Sequence, residues 1–540
     1  MANALVPAPA RGEAVPPPLI GSFLLESITT GMYGERRNAI REYVQNSLDG
    51  VQAAVAAKIL KAGREKITLT IDAGKKTLTI YDNGIGLPYR VAMSTLTTVG
   101  ASRKQRGREA GFRGIGRLAG IAFSNTLQFR TKAAGDTVET IVSFDCAALR
   151  KGMEFSGLKP AAALISECVT YRQQKVPNAS DHYFEVTLQD LTNPPPEATR
   201  LVDLEEFLAQ VAPVDFHPDF ASFRSKIFDA AGAVEVPMVG GDAGDDDADE
   251  EQPLLDRIAF DHVTIVLREA GSKTERPVYK PYRPKMLGAE NENVALTRVT
   301  VRHGESGTWW GWIGHKKIPG DYQKENVAGI RFRLKNIQID GNDLIRDVPT
   351  TNEARSTFGR WSNWFVGEIY VDPKSVVPNA RRDNFEEDDV WLKIRNEIMP
   401  VCAELTKEAR AVSKEYQTSL RVLEAKVKRH RERFLKISHS KTFDLSKVRN
   451  LIVDTEKIEK DLEKAGPGET SADQLKLKNF SKELNQIRVS LLEKPKTHDY
   501  EQFRKAIRQE MLEATLKVLN DYLELPLYQE VKKALEKALK

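Results

Sequence analysis

The sequence predicts an α+β protein built from several domains. Short segments such as 67–71, 77–80 and 330–334 alternate apolar and polar residues with a period of two, which is typical of β-strands. Residues 35–58 instead carry apolar side chains at helical spacing, and the residues after 401 are mostly Glu, Lys, Leu, Ala and Arg. At 540 residues the chain is too long for one hydrophobic core, so we expect about three or four structural units.

Changes in composition along the chain indicate the domain boundaries. Residues 1–18 are rich in Ala and Pro and lack the basic start and apolar stretch of a signal peptide, so we expect a disordered tail and a cytoplasmic protein. Residues 19–230 form the first domain. Residues 231–253 contain a self-repelling run of Gly, Asp and Glu, which predicts a linker. Residues 254–400 predict a second α/β domain, and residues 401–540 predict a helical or coiled-coil arm for oligomerisation or partner binding.

Whole-chain properties exclude several classes of protein. The composition is 41% hydrophobic and 29% charged, and no apolar run approaches the roughly 18 residues that a membrane helix needs. The net charge is only +4, so any nucleic-acid surface must be local. Cys146, Cys168 and Cys402 lie far apart and lack metal-ligand spacing, so we expect neither a disulfide framework nor a zinc site.

The helix predicted over 35–58 has two distinct faces. Its apolar face, which should pack on a sheet, consists of Ile40, Val44, Leu48, Val51 and Val55. Glu42, Asn46 and Asp49 follow the spacing i, i+4, i+7 and share the opposite face. A carboxylate can act as general base and an amide oxygen is a hard ligand suited to Mg²⁺. The alternative is an ordinary solvated helix face.

A β-hairpin is predicted next, over 67–71 and 77–80. Its second strand leads into Asp82, Gly84 and Gly86. A carboxylate at a strand end can accept a hydrogen bond from an exocyclic amine, and nearby glycines let a ligand approach the backbone. The alternative is a tight turn without a ligand.

A glycine-rich loop follows, with Gly111, Gly114 and Gly116 ahead of a small-residue helix. Such a loop makes backbone N–H groups and a helix N-terminus available to phosphates. The sequence has no Walker-type Gly-x-x-x-x-Gly-Lys-Ser/Thr motif, so it does not predict a P-loop.

These three motifs, in this order and spacing, resemble those of the GHKL ATPases, the superfamily of gyrase B, the ninety-kilodalton heat-shock chaperones, histidine kinases and MutL, with the MORC proteins. The resemblance implies a Bergerat-type ATP-binding α/β sandwich, then an α/β transducer domain of the ribosomal S5-like kind. It also implies ATP and Mg²⁺ as cofactors and a homodimer that opens and closes with ATP.

The resemblance assigns a role to each motif. Glu42 would activate the attacking water, Asn46 would hold Mg²⁺, and Asp49 would lie by the adenine or order its waters. Asp82 would bind the adenine amine beside Gly84 and Gly86. The phosphate lid would consist of Lys104, Gly111, Gly114 and Gly116. One departure is that the family's last box usually offers a Thr beside the adenine, whereas the matching stretch here is 182–188, with Thr187 as a substitute that does not align.

The resemblance also implies that a basic residue from the following domain completes the site, because charge growing on the transferred phosphoryl group needs a cation. The stretch 367–385 is similar to the middle-domain segment of the heat-shock chaperones, and Arg382 stands where those proteins have their ATP-sensing arginine. Lys316 and Lys317 are the alternatives. A further alternative is that Arg381 and Arg382 only pair with neighbouring acids on a surface turn.

Two function classes remain open. The Arg382 segment and the acidic stretch 231–253 favour a chaperone-like clamp on protein clients. The glycine-loop sequence and the basic stretch 426–436 favour a MutL-like or MORC-like clamp on DNA. The basic stretch is equally compatible with the solvated face of a coiled coil.

Overall fold

The structure is a computed structural model that describes two compact units, residues 1–409 and 410–540, each taken by itself below. The residues it describes are 20–27, 35–100, 116–155, 159–237, 251–289, 293–324, 326–339, 344–349, 357–379, 382–438, 445–464, 471–493, 498–520 and 523–538. The tail 1–18, most of the acidic run and the predicted lid residues Lys104, Gly111 and Gly114 lie outside them.

The chain is α+β, as predicted, with seventeen strands in the described ranges and a helical C-terminal region. The strands are β1 Lys66–Asp72, β2 Thr77–Asp82, β3 Ser124–Lys132, β4 Val138–Asp145, β5 Val169–Lys175, β6 Tyr183–Leu191, β7 Glu235–Pro237, β8 Glu251–Pro253, β9 Thr264–Glu269, β10 Arg276–Pro277, β11 Lys285–Leu287, β12 Asn293–Ala295, β13 Arg298–His303, β14 Trp309–His315, β15 Gly329–Leu334, β16 Ile337–Ile339 and β17 Val366–Val371.

The α-helices of the described ranges follow the same order along the chain. They are α1 Ser22–Glu26, α2 Asn38–Ala56, α3 Tyr89–Thr97, α4 Cys146–Phe155, α5 Ala161–Cys168, α6 Leu201–Val211, α7 Ala221–Gly232, α8 Leu254–Arg257, α9 Leu344–Asp347, α10 Asp389–Ser438, α11 Leu445–Lys464, α12 Ser471–Glu493, α13 His498–Asn520 and α14 Leu525–Ala538.

The first sheet has eight strands in the order β10-β9-β1-β2-β6-β3-β4-β5. The predicted hairpin is confirmed, since β1 pairs antiparallel with β2 and Ile67 lies opposite Asp82. Helix α2 packs on this sheet through Ile40, Val44 and Leu48, each no more than 1% exposed. The apolar periodicity of 35–58 therefore identified both the helix and its buried face.

Strand pairing does not follow the predicted boundary at 231–253. Strand β9 lies beyond that stretch, yet it pairs in parallel with β1 and so belongs to the first sheet. Residues at both ends of the stretch are ordered, because α7 runs to Gly232 and β7 pairs with β8. The acidic composition marks a polar insertion, but composition does not determine which sheet the flanking strands join. Ile265 and Leu267 of β9 supply apolar side chains that complete the core under the first sheet.

The second sheet has five strands in the order β13-β14-β17-β15-β16. Trp309 belongs to a core on one of its faces that includes residues of α10, such as Trp391 and Ile394. Trp310 and Trp312 belong to the core that also holds residues of α7. Because residues of 216–236 and 254–260 contribute to the core on the second sheet and β9 then returns to the first, the chain passes between the two sheets repeatedly.

In the second unit, several basic residues of α10 pair with acids of neighbouring helices. Lys426 pairs with Asp461 at 2.7 Å, and Arg431 pairs with Glu483 at 3.0 Å. His430 is 2% exposed, and its Nε2 lies 2.8 Å from the hydroxyl of Thr455. These contacts are those expected of a packed helical bundle with a charged outer face. Within the described residues, no helix combines the length and apolarity needed to cross a membrane.

Candidate nucleotide site

The polar face of α2 is enclosed. Glu42 is 6% exposed and Asp49 is 7% exposed, whereas Asn46 is partly buried. The alternative of an ordinary solvated helix face is therefore wrong for the two carboxylates. Burying a carboxylate is costly unless it has partners or a chemical role, so this face needs an explanation from its surroundings.

The Asp82 motif lies directly against α2. Asp82 is 1% exposed, and its Oδ1 accepts a hydrogen bond from the N–H of Gly84 at 2.9 Å. A Cβ at Gly84 would come within 2.6 Å of the backbone carbon of Gly50, so only glycine lets the end of β2 approach the helix this closely. The N–H of Ile85 then donates to the carbonyl of Gly50 at 3.0 Å. The motif is therefore more than a surface turn, since its backbone is fixed to the helix that carries Glu42.

Gly86 shows a second requirement for glycine in this motif. Its φ is 66°, and a Cβ there would lie 2.0 Å from the carbonyl oxygen of Lys132 in β3. The segment after β2 is thus held between α2 and β3, with the Asp82 carboxylate at its base.

The last glycine of the predicted lid touches Glu42. Gly116 begins a 3₁₀ helix, and a Cβ on it would fall 2.2 Å from Glu42 Oε2. The hydroxyl of Tyr43 accepts from the N–H of Gly120 at 2.8 Å and donates to the carbonyl of Arg117 at 3.1 Å. Burial lowers the pKa of Arg117. The C-terminal end of the glycine loop is therefore anchored to α2 next to the general-base candidate.

Arg382 reaches Glu42 from the second sheet. Its Nε lies 3.1 Å from Glu42 Oε1, and the two side chains are 10% and 8% exposed. Arg382 has a φ of 58°, an unusual value for a non-glycine residue, on a turn where Asn379 Nδ2 donates to Asp383 Oδ1 at 2.6 Å. The alternative of a surface turn paired only with neighbouring acids is wrong for Arg382, while Arg381 lies outside the described residues.

The two other basic candidates lie elsewhere. Lys316 is buried, donates to the carbonyl of Gly320, and has its Nζ 4.3 Å from the centroid of the Tyr322 ring. Lys317 is exposed. Of the three cations predicted as candidates, Arg382 is the one that the structure places against Glu42.

His182 contacts the Asp82 motif, a contact that the sequence reasoning missed. The substitute it named, Thr187, faces Thr79 in mid-strand, three residues along from the pair formed by Asp82 and Phe184. His182 lies just before β6, and its Nδ1 is 2.9 Å from the carbonyl oxygen of Gly84. Because a carbonyl only accepts, Nδ1 is the donor in this hydrogen bond. The register of β6 against β2 was the signal that could have identified His182.

The donor set suits Mg²⁺ held together with phosphates. The described residues contain no cluster of three or more His, Cys, Asp or Glu side chains that could bind a metal by itself. Mg²⁺ in nucleotide sites usually takes one or two protein ligands and completes its shell with phosphate oxygens and water. Asn46, one helical turn from Glu42, offers the amide oxygen that such a site needs.

Comparison with known proteins supports this class of site. Residues 35–173 match the family described as histidine kinase-, DNA gyrase B-, and HSP90-like ATPase. The resemblance predicted from the motifs is confirmed for this segment, which contains α2, the hairpin and the glycine loop.

Several curated relatives are bacterial chaperones. Chaperone protein HtpG of Psychrobacter arcticus is 28% identical over 134 residues, covering 22% of this chain and 20% of the relative. HtpG of Alcanivorax borkumensis is 28% identical over 142 residues, covering 23% of each chain. HtpG of Rhodospirillum rubrum is 29% identical over 129 residues, covering 23% of this chain and 18% of the relative. The similarity therefore spans about a fifth of the length of these relatives.

Proposed function

We propose that the chain hydrolyses ATP with Mg²⁺ and uses the cycle to close and open a homodimeric clamp that acts on protein clients. The observation that carries the proposal is the ion pair between Glu42 on α2 and Arg382 beyond β17. Glu42 is a general-base candidate on the helix that packs on the first sheet, and Arg382 is a cation on a turn that follows β17 of the second sheet. The ion pair brings them to one place, and phosphoryl transfer to water uses both kinds of group.

Each side chain has a defined task in this proposal. Glu42 accepts the proton of the attacking water, and Arg382 stabilises negative charge that grows on the phosphoryl oxygens. Asp82 accepts from the exocyclic amine of adenine, while Asp49 orders water beside it. Mg²⁺ at Asn46 would neutralise charge on the phosphates.

The experiment compares wild type with Glu42→Ala and with Glu154→Ala, a matched change of an exposed glutamate on α4. We expect Glu42→Ala to lower single-turnover ATP hydrolysis by about 10²- to 10⁴-fold while the Kd for Mg-ATP stays close to that of wild type. Glu154→Ala should match wild type in both. Wild-type hydrolysis by Glu42→Ala, or a wild type that binds no ATP, would overturn the proposal.

Dimerisation is tested on the same proteins by measuring mass with and without Mg-ATP. Glu42→Ala should accumulate as a dimer in ATP, because it binds the nucleotide and does not turn it over. A monomer under all conditions would refute the clamp and leave the ATPase intact.

A DNA clamp is the second candidate, and the pairing of the basic stretch 426–436 favours protein clients over it. Arg433 Nη1 lies 2.5 Å from Asp454 Oδ2, and Lys426 and Arg431 also have acidic partners. Charges that are neutralised within a protein contribute less to phosphate binding.

A DNA-binding titration over a salt series distinguishes the two. We expect weak binding that Arg429→Glu, a change of an exposed residue in the stretch, leaves unaltered. Tight binding with a steep salt dependence that Arg429→Glu reduces would establish the DNA clamp instead.

A further inference from the structure

Four polar side chains are fully buried where the chain passes between the two sheets of residues 1–409. They are Lys280, which follows β10, Arg333 on β15, Asn336 in the turn after β15, and Glu368 on β17, each 0% exposed. We refer to these four residues as the joint cluster. Buried charges persist in folded proteins only when they are paired and hydrogen-bonded, so their contacts are informative.

Within the joint cluster, Glu368 is saturated with donors. Lys280 Nζ donates to Glu368 Oε1 at 2.9 Å and to Asn336 Oδ1 at 2.7 Å, and Arg333 also contacts Glu368 Oε1. Burial alone would raise the pKa of Glu368, but Arg333 and Lys280 overcome this and lower it to about 2. The charged form of Glu368 is therefore favoured by its two partners, whose hydrogen bonds it accepts.

Three residues of the joint cluster also bind the backbone of segments that pass between the sheets. Arg333 Nη2 donates to the carbonyl of Gln210 at 2.6 Å, near the end of α6. Asn336 Nδ2 donates to the carbonyl of Asp261 at 2.7 Å, just before β9. The backbone N–H of Lys280 donates to the carbonyl of Asp215 at 2.9 Å. The bonds from Arg333 and Asn336 tie the second sheet to segments that leave or enter the first, and the Lys280 bond joins two such segments to each other. Buried bonds of this kind are costly to leave unmade.

A hydrogen-bonded segment of the chain connects the joint cluster to Arg382. Strand β17, which carries Glu368, ends next to Asp372, whose carboxylate accepts from Ser375 Oγ at 2.6 Å. Pro378 then pairs with Phe385 in a β-bridge, and the N–H of Asn379 donates to the carbonyl of Asn384 at 2.9 Å. Arg382 thus lies on a turn whose base is fixed to the second sheet. The position of that sheet against the first sets the distance from Arg382 to Glu42.

We propose that the joint cluster positions Arg382 for catalysis, with Asn336 and Glu368 as positioning residues that never touch the nucleotide. This inference rests on the proposed ATPase function, since the reaction is what makes the position of Arg382 matter. The tie between the sheets can nevertheless be measured without ATP.

Asn336→Gly is the most selective variant. Asn336 has a φ of 59°, a conformation that glycine adopts without strain, so the change removes the side-chain bonds and leaves Glu368 paired with Lys280 and Arg333. Lys335→Gly is the matched control, because the neighbouring residue has a φ of 50° and gains the same backbone freedom. Glu368→Gln is a second variant that breaks the cluster at its centre.

The kinetic test is a cycle with Arg382→Ala. We expect Asn336→Gly to lower kcat about tenfold with little change in the KM for ATP, because a displaced catalytic group affects the chemical step most. In an Arg382→Ala background the same change should alter kcat by less than about twofold. An equal loss of kcat in both backgrounds would mean a general structural defect and would overturn the proposal.

The second readout is the distance between spin labels on Lys61→Cys, beyond α2, and Lys374→Cys, beyond β17, both exposed positions. The three native cysteines are buried. We expect one narrow distance distribution in wild type and in Lys335→Gly, and a broader or shifted one in Asn336→Gly and Glu368→Gln. An unchanged distance distribution in both Asn336→Gly and Glu368→Gln would overturn the proposal that the joint cluster fixes the position of the two sheets. A wild type without ATPase activity refutes the proposed function. The label distances alone then decide whether the joint cluster holds the two sheets in a fixed position.

Discussion

Glu42 and Glu368 are both buried carboxylates that pair with an arginine, yet their surroundings differ. Glu368 is 0% exposed and receives contacts from Arg333, Lys280, Tyr370 and Trp312. Glu42 is 6% exposed, and among the described residues the structure gives it one ion pair, to Arg382. A carboxylate with all its acceptor sites engaged holds structure, whereas one with capacity left can take a proton from water. This difference separates the part of the molecule that fixes geometry from the part that performs chemistry.

The largest effect should come from removing each carboxylate in turn. We expect Glu368→Leu to lower the free energy of unfolding by about 3 to 5 kcal/mol, because it leaves buried Arg333 without its anion and the Lys280 amine without its acceptor. Glu42→Leu should cost about 1 to 2 kcal/mol, since it removes a single charged hydrogen bond at the edge of a site. Urea unfolding of the purified variants measures both losses. Equal losses would remove the distinction between the two carboxylates.

Arg382→Ala should give the next largest effect, now on the reaction. We expect kcat for ATP hydrolysis to fall by about 10²- to 10³-fold, the usual cost of removing one charge-stabilising donor. Lys317→Ala is the control, because Lys317 is an exposed basic residue of the same unit. A loss that follows Lys317 and spares Arg382 would assign the catalytic cation differently.

Gly116→Ala tests the close approach of Gly116 to the Glu42 carboxylate. The added Cβ would fall 2.2 Å from Glu42 Oε2, so the carboxylate must turn away from its position in the site. We expect kcat to fall by about 10- to 10²-fold with folding preserved, since the far end of a side chain can move. At Gly359 no atom lies within 4 Å of an added Cβ, so Gly359→Ala should behave as wild type in the same assay.

The most gradual effect should be a dependence of stability on pH that comes from Lys280. Burial lowers the pKa of Lys280 to about 7, with Arg333 adding to this and Glu368 opposing it. Between pH 7 and the ordinary range of lysine, the unfolded chain holds a proton that the folded chain lacks, so this group makes stability rise with pH by at most about 1.4 kcal/mol per pH unit. Unfolding measured from pH 7 to 9.5 should show this slope in wild type and lose it in Lys280→Met. Parallel curves for the two proteins would contradict the assignment.

The local elements could be predicted from the sequence because periodicity reports burial directly. The helix α2, the hairpin β1–β2 and the strand β15 all follow from the spacing of apolar residues. The sheet to which β9 belongs could not be predicted, since pairing depends on partners roughly two hundred residues away along the chain.

The residues of the candidate site also fall into two groups, those that local sequence patterns predict and those that they do not. Glu42, Asn46 and Asp49 share a face by helical geometry alone, whereas Arg382 was identified through resemblance and no physical rule linked it to Glu42. The sequence does not indicate the joint cluster, because Arg333 and Glu368 alternate with apolar residues, a pattern that predicts a solvated face. Both faces of the second sheet are in fact covered, so those alternating positions are buried.

The proposed reaction requires Glu42 and Arg382 to act together, and a double-mutant cycle in single-turnover ATP hydrolysis tests this directly. The variants are Glu42→Ala, Arg382→Ala and the double change, with Mg-ATP binding measured on each. If the two side chains serve one transition state, the double variant should be about as slow as Glu42→Ala alone. Losses that simply multiply would show that the residues act independently and would contradict the account.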